Sequence, residues 1–599
     1  MKVAIIGAGP AGLVTCKTLV ETSSPELPFD PVIFEQEEDV GGTFQYRSYQ
    51  NATLVSSKQL TAFSDFRLPL TCPDHLTLEE YVDYLRAYAK HFHVWERIQF
   101  GCKVVNISRN RIQGGHNVTY VRRAQGDLNE WSDKTEVIHV AYVAVCTGLH
   151  VTPSIPDIPG INHVLEKRDG NKDVSPAVFH SAQYKSRSQL QGRRIMILGT
   201  GETGMDIAYE AAKAGAKEVI LCSRAGFLSF PKALNDFEIF GFKFESTNPV
   251  PIDSLITNLA ETAYVHPWVA GSHIRWFISD FVIKRVLWIL TGTHAGCNQW
   301  VGELEPERLG RAYVFLNKSH KAMPYINRPY RKRPALLEYL SKYIDPPEDM
   351  PPKTDFTVDL APFPSHFLSN GRAVFPMSKR KDALRMAGRD VRPDTVVYAT
   401  GYAQKFDFFD KNGDYGTPSE ADIRNVAKSG DETVAFIGFV RPGVGAIPPI
   451  AEMQSFFWVS LLKGQVKMPL PPPYYHLLVK ETARIKYGVD HSTYMSTLAK
   501  DIGAAPGLWE LWSEYGTHVL VCYCFGAAFT PFYRLRGPFR SEKVVPIIKT
   551  ELWDTITRRG ILGNLLMGLI PMIFYCVINL VAFASEKVWA LVGGQQLYV

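Results

Sequence analysis

The sequence lacks a strong excess of charge, paired cysteines and an N-terminal signal peptide. Its 599 residues carry 65 Lys and Arg against 60 Asp and Glu, so the net charge is only +5, and nucleic acid is not expected as a partner. The nine cysteines contain no CxxC pair, which argues against a zinc site, an iron–sulfur cluster and a dithiol redox pair. Scattered thiols without an apolar leader predict a chain that mostly faces the cytosol. The length predicts about four structural units.

One long stretch without charge lies near the C-terminus. Residues 561–584 carry no formal charge, and a helix of that length reaches roughly 36 Å, enough for a bilayer core of about 30 Å. Arg558 and Arg559 precede it and only Lys587 follows, which keeps the bulk of the chain cytosolic under the positive-inside rule. We predict a transmembrane or membrane-anchoring helix over 558–592, with membrane lipid as a partner. A buried core helix is the alternative.

A strand, a glycine-rich turn and a helix open the chain. The apolar run 2–6 is followed by the sequence GAGPAG and then by apolar residues at helical spacing. In dinucleotide-binding folds the first glycine makes the tight turn, the second admits the pyrophosphate and the third lets helix and strand pack closely. An acid about twenty residues later can accept hydrogen bonds from ribose hydroxyls. The candidate binding residues are Gly7, Ala8, Gly9, Pro10, Ala11, Gly12 and Glu35.

A second strand, loop and helix follow at 194–214, with the loop sequence GTGETG. The next strand ends in Ser223 and Arg224 rather than in an acid. An acid would repel a 2′-phosphate, whereas Ser and Arg supply donors and a positive charge, so NADPH is preferred over NADH. A solvated surface charge is the alternative for Arg224. The candidate binding residues are Gly199, Gly201, Thr203, Gly204, Met205, Asp206, Ser223 and Arg224.

Two further features favour a flavoprotein with two dinucleotide-binding domains. A glycine pair follows Glu35, as in chains that pass close to FAD, with an ordinary turn as the alternative. An apolar strand that ends in Thr-Gly occurs twice, at 147–148 and at 400–401, and such segments mark where the chain crosses between the two domains. One loop followed by Glu and one followed by Ser-Arg together imply FAD and NADPH. These features add the candidates Gly42, Thr43, Phe44, Thr400 and Gly401.

At this point the sequence resembles the flavin-containing monooxygenases, the class B flavoprotein monooxygenases, and in particular their microsomal dimethylaniline monooxygenase-like members. His180 and Tyr184 match the family segment FxGxxxHxxxY/F, whereas Val174 and Pro176 replace its Phe and Gly. We interpret His180 as a residue that couples the domains, not as an acid–base catalyst.

The resemblance also implies that one segment lines the flavin. Val55 and Ser56 belong to this segment, which is similar to the family's Ser-Ser-Lys run, and both are candidate cofactor contacts. Many members carry an Asn where this chain has Val55. The consequence of this departure for the way in which the oxygenated flavin is held stays open.

The resemblance implies an NADPH- and O2-dependent oxidoreductase of the endoplasmic reticulum membrane. It would oxygenate soft nucleophiles, by amine N-oxidation or sulfide S-oxidation, through a C4a-hydroperoxyflavin protected by bound NADP+. Such a cycle requires no side-chain catalyst and no metal. Baeyer–Villiger-type oxygenation of ketones and an uncoupled NADPH oxidase are the alternatives. The specific substrate stays open, and so does the oligomeric state, with a homo-oligomer allowed.

The expected fold class is α/β, with two Rossmann-like dinucleotide-binding domains for FAD and NADPH, a helical insertion and a C-terminal membrane helix. The insertion contains the apolar run 281–290 and is expected to associate with a membrane or to line a substrate tunnel. A buried core helix is the alternative. The predicted boundaries are 1–165 and 346–468 for the FAD-binding domain, 166–225 and 321–345 for the NADPH-binding domain, 226–320 for the insertion, 469–557 for a C-terminal region and 558–592 for the membrane helix.

Overall fold

The structure is a computed structural model. It describes residues 1–124, 127–166, 175–229, 232–234, 237–239, 242–244, 249–255, 265–270, 272–277, 301–302, 316–319, 321–327, 356–477 and 487–594.

A six-stranded sheet organises the first dinucleotide-binding domain. Its strands run parallel except for one edge pair. In spatial order they are Ala427–Lys428, Asp431–Phe436, Tyr142–Val145, Lys2–Ile6, Asp30–Phe34 and Ile98–Gln99. The helices packed around this sheet are Pro10–Thr22, Thr43–Tyr46, Lys58–Thr61, Leu78–His91 and Ile447–Leu462. Four-residue strands such as Tyr142–Val145 are buried at nearly every position because helices and loops cover both faces of the sheet.

A three-stranded antiparallel sheet is attached to the first domain. Its strands are Cys102–Arg109, His116–Ala124 and Asp127–Val140.

A five-stranded, fully parallel sheet organises the second domain. Its spatial order is Val358–Pro362, Glu218–Ser223, Arg194–Leu198, Thr395–Tyr398 and Ala177–His180. The helix Glu202–Lys213 follows the central strand. The two sheets confirm the predicted Rossmann-type α/β fold.

The return of the chain to the first domain was predicted too early. The boundary at 346 follows a Pro-rich stretch, but strands Val358–Pro362 and Thr395–Tyr398 both pair in the second sheet. The first sheet resumes only with Ala427–Lys428. Strand pairing, not local proline content, decides domain membership, and the segment 328–345 of the predicted return lies outside the described residues.

The insertion was predicted to be helical, and its described residues are mainly short strands. Phe237–Ile239 and Phe242–Phe244 form an antiparallel hairpin in which Phe237 is in register with Phe244. The alternation of apolar and polar residues in both segments is typical of strands. The other strands of the insertion are Phe227–Ser229, Ala233–Leu234, Val250–Pro251, Val301–Gly302 and Leu316–Asn317, with short helices at Ile252–Ser254, Pro267–Ala270 and His273–Trp276. The apolar run 281–290 lies outside the described residues.

The C-terminal region is helical. Its helices are His491–Asp501, Leu508–Glu510, Leu511–Tyr515, Thr517–Phe525, Thr530–Arg534, Val544–Ile547, Ile548–Leu552, Trp553–Thr557, Gly560–Asn564, Leu565–Leu569 and Ile570–Leu591. The last three are continuous from Gly560 to Leu591, a span of 32 residues. In the part of the chain that the structure describes, this is the one helix long and apolar enough to cross a membrane.

One stripe of the C-terminal helix packs against the insertion. The Oδ1 of Asn579 accepts a hydrogen bond from the backbone N–H of His266 at 2.7 Å, and the His266 Nε2 lies 2.9 Å from the carboxylate of Glu586. The Tyr575 hydroxyl donates to the carbonyl of Arg275. Tyr575, Asn579 and Glu586 therefore face protein. On the other side of the helix, Leu580 and Val581 are each 61% exposed.

The two arginines before this helix bind protein groups. Arg558 forms ion pairs with Asp74 and Asp554. Arg559 is fully buried and donates to the carbonyl of Phe525 at 2.8 Å and to that of Ser254, and its burial lowers the pKa of the guanidinium to about 10. Both residues tie the start of the helix to the body of the protein, a role that the charge count alone does not predict.

Candidate functional site

The three glycines of the first loop lie in three different environments. Gly7 has φ +106°, and a Cβ there would lie 2.9 Å from the carbonyl oxygen of Cys146. A Cβ on Gly12 would lie 1.9 Å from the carbonyl oxygen of Gly7. A Cβ on Gly9 would meet nothing within 4 Å, and Gly9 caps the helix Pro10–Thr22. Open space at a helix N-terminus, where backbone N–H groups are unpaired, suits a pyrophosphate.

Glu35 and Gly42 lie directly against this loop. The Glu35 Oε2 accepts a hydrogen bond from the Ala8 N–H at 2.6 Å, and burial raises the pKa of this carboxyl group although hydrogen bonds oppose the shift. Gly42 has φ +53°, and its Cβ position lies 3.4 Å from the Gly9 Cα. The loop, the acid and the glycine pair thus converge on one place, which fits the adenosine and pyrophosphate part of FAD. Phe44 packs its ring 4.8 Å from that of Tyr81.

The second loop repeats the geometry of the first. Gly199 has φ +122°, with a Cβ position 2.3 Å from the carbonyl oxygen of Ala399. The Cβ position of Gly204 lies 2.1 Å from the Gly199 carbonyl oxygen, and that of Gly201 meets nothing within 4 Å. An open space therefore lies at the N-terminus of the helix Glu202–Lys213, as it does at the N-terminus of the helix Pro10–Thr22.

Two of the candidates on this helix contact protein. Met205 is fully buried in the hydrophobic core of the second domain. The carboxylate of Asp206 accepts a hydrogen bond from the Tyr49 hydroxyl at 2.7 Å, which joins the two nucleotide domains. Their side chains therefore serve packing and domain contact, whereas Gly201 faces the open side of the loop.

Arg380 joins Ser223 and Arg224 at the end of the second strand. Its guanidinium donates to the Ser223 Oγ at 2.8 Å and to the carbonyl oxygen of Arg224 at 2.6 Å, and it pairs with Asp382. Two guanidinium groups and a hydroxyl at this edge suit a 2′-phosphate. Sequence reasoning missed Arg380, and the only signal was the basic run 379–381.

The second Thr-Gly segment lies where the two domains meet. Residues 402–403 pair antiparallel with residues 152–153, and the Thr400 hydroxyl donates to the carbonyl of Ser154. His180 is buried, and its Nε2 lies 3.0 Å from the Gly401 carbonyl oxygen. Burial lowers the pKa of His180, which favours a neutral ring. This placement agrees with the interpretation of His180 as a coupling residue.

The segment expected to line the flavin is fixed by polar contacts. Ser56 is buried, and its Oγ accepts a hydrogen bond from the Thr61 hydroxyl at 2.8 Å. Lys58 donates to the carbonyls of Pro69 and Leu70 at 3.0 and 2.9 Å. Val55 is half-buried and offers no polar group. The Ser-Ser-Lys run thus has a clear structural role in holding this loop.

A buried ionic cluster lies next to the same segment and was not predicted. Glu452 is fully buried, and its carboxylate accepts hydrogen bonds from the Ser64 N–H at 3.1 Å and from the Ser64 hydroxyl at 2.5 Å. Asp65 pairs with Lys17 and Arg534. Burial, reinforced by the negative charge of Asp65, raises the pKa of Glu452 to about 7. The cluster joins the helix Pro10–Thr22, the segment expected to line the flavin and the C-terminal region.

Comparisons with known proteins agree with this arrangement. A family model described as Flavin-binding monooxygenase-like matches residues 1–239 and 384–560. The chain is 39% identical to monooxygenase ptmN of Penicillium ochrochloron, covering 99% of this chain and 96% of that protein. It is 24% identical to flavin-containing monooxygenase 1 of Homo sapiens, covering 92% of each chain.

A solved structure described as oxidised steroid monooxygenase bound to NADP has a similar fold. Its TM-score is 0.50 at 13% identity, covering 77% of this chain and 86% of that chain. At this identity the likeness concerns the fold alone.

Proposed function

The chain belongs to the flavin-binding monooxygenase family, and on that premise we propose that it uses NADPH and O2 to oxygenate an amine nitrogen or a sulfide sulfur. It is an oxidoreductase with FAD and NADPH as its cofactors. The observation that carries the proposal is the pair of matching glycine-rich loops on two separate sheets. One loop is followed by Glu35 and the other by Ser223 and Arg224.

The chain's own residues have distinct parts in this proposal. Gly9, Glu35 and Gly42 would hold FAD, because they converge at the first loop. Gly201 and the Ser223 edge would hold NADPH. FAD and NADPH supply the reducing equivalents and the activation of O2, and the protein orients the two groups and excludes water. No general base is needed for oxygen transfer to a soft nucleophile, which carries its own lone pair.

Product analysis tests the proposal. The purified, flavin-loaded enzyme is given NADPH in air with N,N-dimethylaniline, methyl phenyl sulfide or cyclohexanone. We expect N-oxide or sulfoxide in an amount close to the NADPH consumed. If the lactone from cyclohexanone were the only oxygenated product, it would contradict the proposal in favour of Baeyer–Villiger chemistry. Formation of H2O2 without an organic product would indicate an uncoupled oxidase. A reaction without NADPH is the control.

We further propose that the helix Gly560–Leu591 attaches the protein to the endoplasmic reticulum membrane, with the nucleotide domains in the cytosol. Its length and its exposed face of Leu580 and Val581 support this attachment. The docking of Asn579 and Glu586 on the insertion keeps these two polar side chains away from lipid.

A further inference from the structure

Asp253 and Lys318, two charged residues of the insertion, lie between the segment expected to line the flavin and the second glycine-rich loop. The Asp253 Oδ2 accepts a hydrogen bond from the backbone N–H of Ser57 at 2.8 Å. On the other side, the Asn317 side chain donates to the carbonyl of Thr200 at 3.0 Å. The adjacent Lys318 places its Nζ 3.6 Å from the Asp253 Oδ2. The pair therefore bridges the two proposed nucleotide sites.

The polar atoms of this pair are buried and incompletely bonded. The side chains of Asp253 and Lys318 are 1% and 4% exposed. Among the residues that the structure describes, the Asp253 Oδ1 accepts no hydrogen bond, the Lys318 Nζ donates none, and the Ser319 Oγ next to it has no partner. Buried polar atoms in folded proteins almost always have partners, because leaving them unpaired costs free energy. Two such atoms on one buried ion pair, the Asp253 Oδ1 and the Lys318 Nζ, indicate a ligand.

The charges of the pair decide which chemical group fits. A carboxylate would be repelled by Asp253, and an ammonium group would be repelled by Lys318. The neighbouring cation, Lys232, already donates to the Thr53 hydroxyl. A neutral group that carries both an N–H donor and a carbonyl acceptor can form hydrogen bonds with the Asp253 carboxylate and the Lys318 ammonium group together. A carboxamide is the simplest such group.

We propose that Asp253 and Lys318 bind a carboxamide-type group, with the Asp253 Oδ1 accepting its N–H and the Lys318 Nζ donating to its carbonyl oxygen. Two sources carry this group, the nicotinamide ring of NADPH and an amide-bearing substrate. The inference rests on the proposed function, because only that function brings a nicotinamide and a substrate to this junction. The pair holds and orients its ligand and takes no part in bond making.

Equilibrium binding tests the first source. The Kd of NADP+ is measured for the flavin-loaded wild type, Asp253→Asn and Lys318→Met, together with the Kd of the 3-acetylpyridine analogue, which lacks the amide N–H. Asp253→Asn preserves an acceptor for Ser57 but presents an N–H toward the ligand. We expect the Kd of NADP+ to rise about 10- to 100-fold in each variant, the loss typical of a hydrogen bond to a charged group. The preference for NADP+ over the analogue should disappear in Asp253→Asn.

Lys321→Met is the matched control, because it removes the same charge three residues away. Flavin content and thermal unfolding show which variants have folded. If Lys318→Met does not fold, Asp253→Asn with the analogue still decides the outcome.

Turnover of two related sulfides tests the second source. If the pair binds substrate, Asp253→Asn lowers kcat/KM for 4-(methylthio)benzamide about tenfold or more relative to methyl phenyl sulfide, while the Kd of NADP+ stays unchanged. The inference would be overturned if Asp253→Asn changed neither the Kd of NADP+ nor the ratio of the kcat/KM values for the two sulfides. A wild type that binds no NADP+ would overturn the proposed function and the inference together, before any variant is compared.

Discussion

Arg380 shapes the proposed 2′-phosphate site together with the two residues that the sequence singles out. Its guanidinium holds both the Ser223 hydroxyl and the Arg224 backbone. We predict that Arg380→Ala raises the KM for NADPH about tenfold or more and leaves the KM for NADH nearly unchanged, because only NADPH carries the 2′-phosphate. Steady-state kinetics with both nucleotides measures the change. Lys381→Ala, an exposed cation next in sequence, is the control and should keep the preference for NADPH.

Glu452 makes the stability of the protein depend on pH. Burial raises its pKa to about 7, whereas an unfolded Glu titrates near about 4.3. The folded state therefore binds the proton more tightly, and the stabilisation by this group is full below about pH 4.3 and is lost as the pH rises to about 7.

Replacement of Glu452 by Gln should remove this dependence. Relative to Glu452→Gln, the wild type should lose at least about 1 kcal/mol of unfolding free energy over that interval. Denaturant unfolding at several pH values measures the difference. The exposed Glu38→Gln is the control, and identical pH profiles for wild type and Glu452→Gln would contradict the assignment.

Each strand–loop–helix element has one glycine that we propose to bind the cofactor and another that packs against backbone. The Cβ position of Gly201 is open, whereas that of Gly204 lies 2.1 Å from a backbone oxygen. We predict that Gly201→Ala weakens NADP+ binding about tenfold or more without lowering the unfolding free energy. Gly204→Ala should cost about 1–3 kcal/mol of stability, as overpacking does. Titration with NADP+ and thermal unfolding distinguish the two, and equal effects of both changes on stability would contradict this division of roles.

At the scale of the whole molecule, the last helix has a protein face and an apolar outer face. We predict that the double change Leu580→Lys and Val581→Lys releases the protein from neutral phosphatidylcholine vesicles, because each charge in a membrane helix costs about 2.5–3.5 kcal/mol. Flotation with vesicles measures the bound fraction. Ile112→Lys is the control, because Ile112 is 97% exposed and lies between two strands of the sheet attached to the first dinucleotide-binding domain. This variant should stay bound to the vesicles. Retention of the double variant on vesicles would contradict attachment through this face.

Local patterns were sufficient for the nucleotide-binding elements. The strands Lys2–Ile6 and Arg194–Leu198 lie where the apolar runs predicted them. The second helix, Glu202–Lys213, lies within the predicted strand, loop and helix at 194–214. These elements follow from residues close in sequence, so their period and their glycines suffice. The boundary at 346 was wrong, because it depends on strand pairing between distant segments. For the same reason, the described residues of the insertion include more short strands than the prediction of a helical insertion allowed.

The sequence by itself determined the two phosphate loops, the acid and the Ser-Arg pair that follow them, and the apolar C-terminal segment. Each is a short pattern whose chemistry is local. Only the tertiary structure decided that Arg380 meets Ser223, that Asp253 meets Lys318 and that Glu452 lies beside Asp65. These contacts join residues that are 65 to 387 positions apart in the chain, and such proximity is set by the packing of sheets and helices rather than by any periodicity in the sequence.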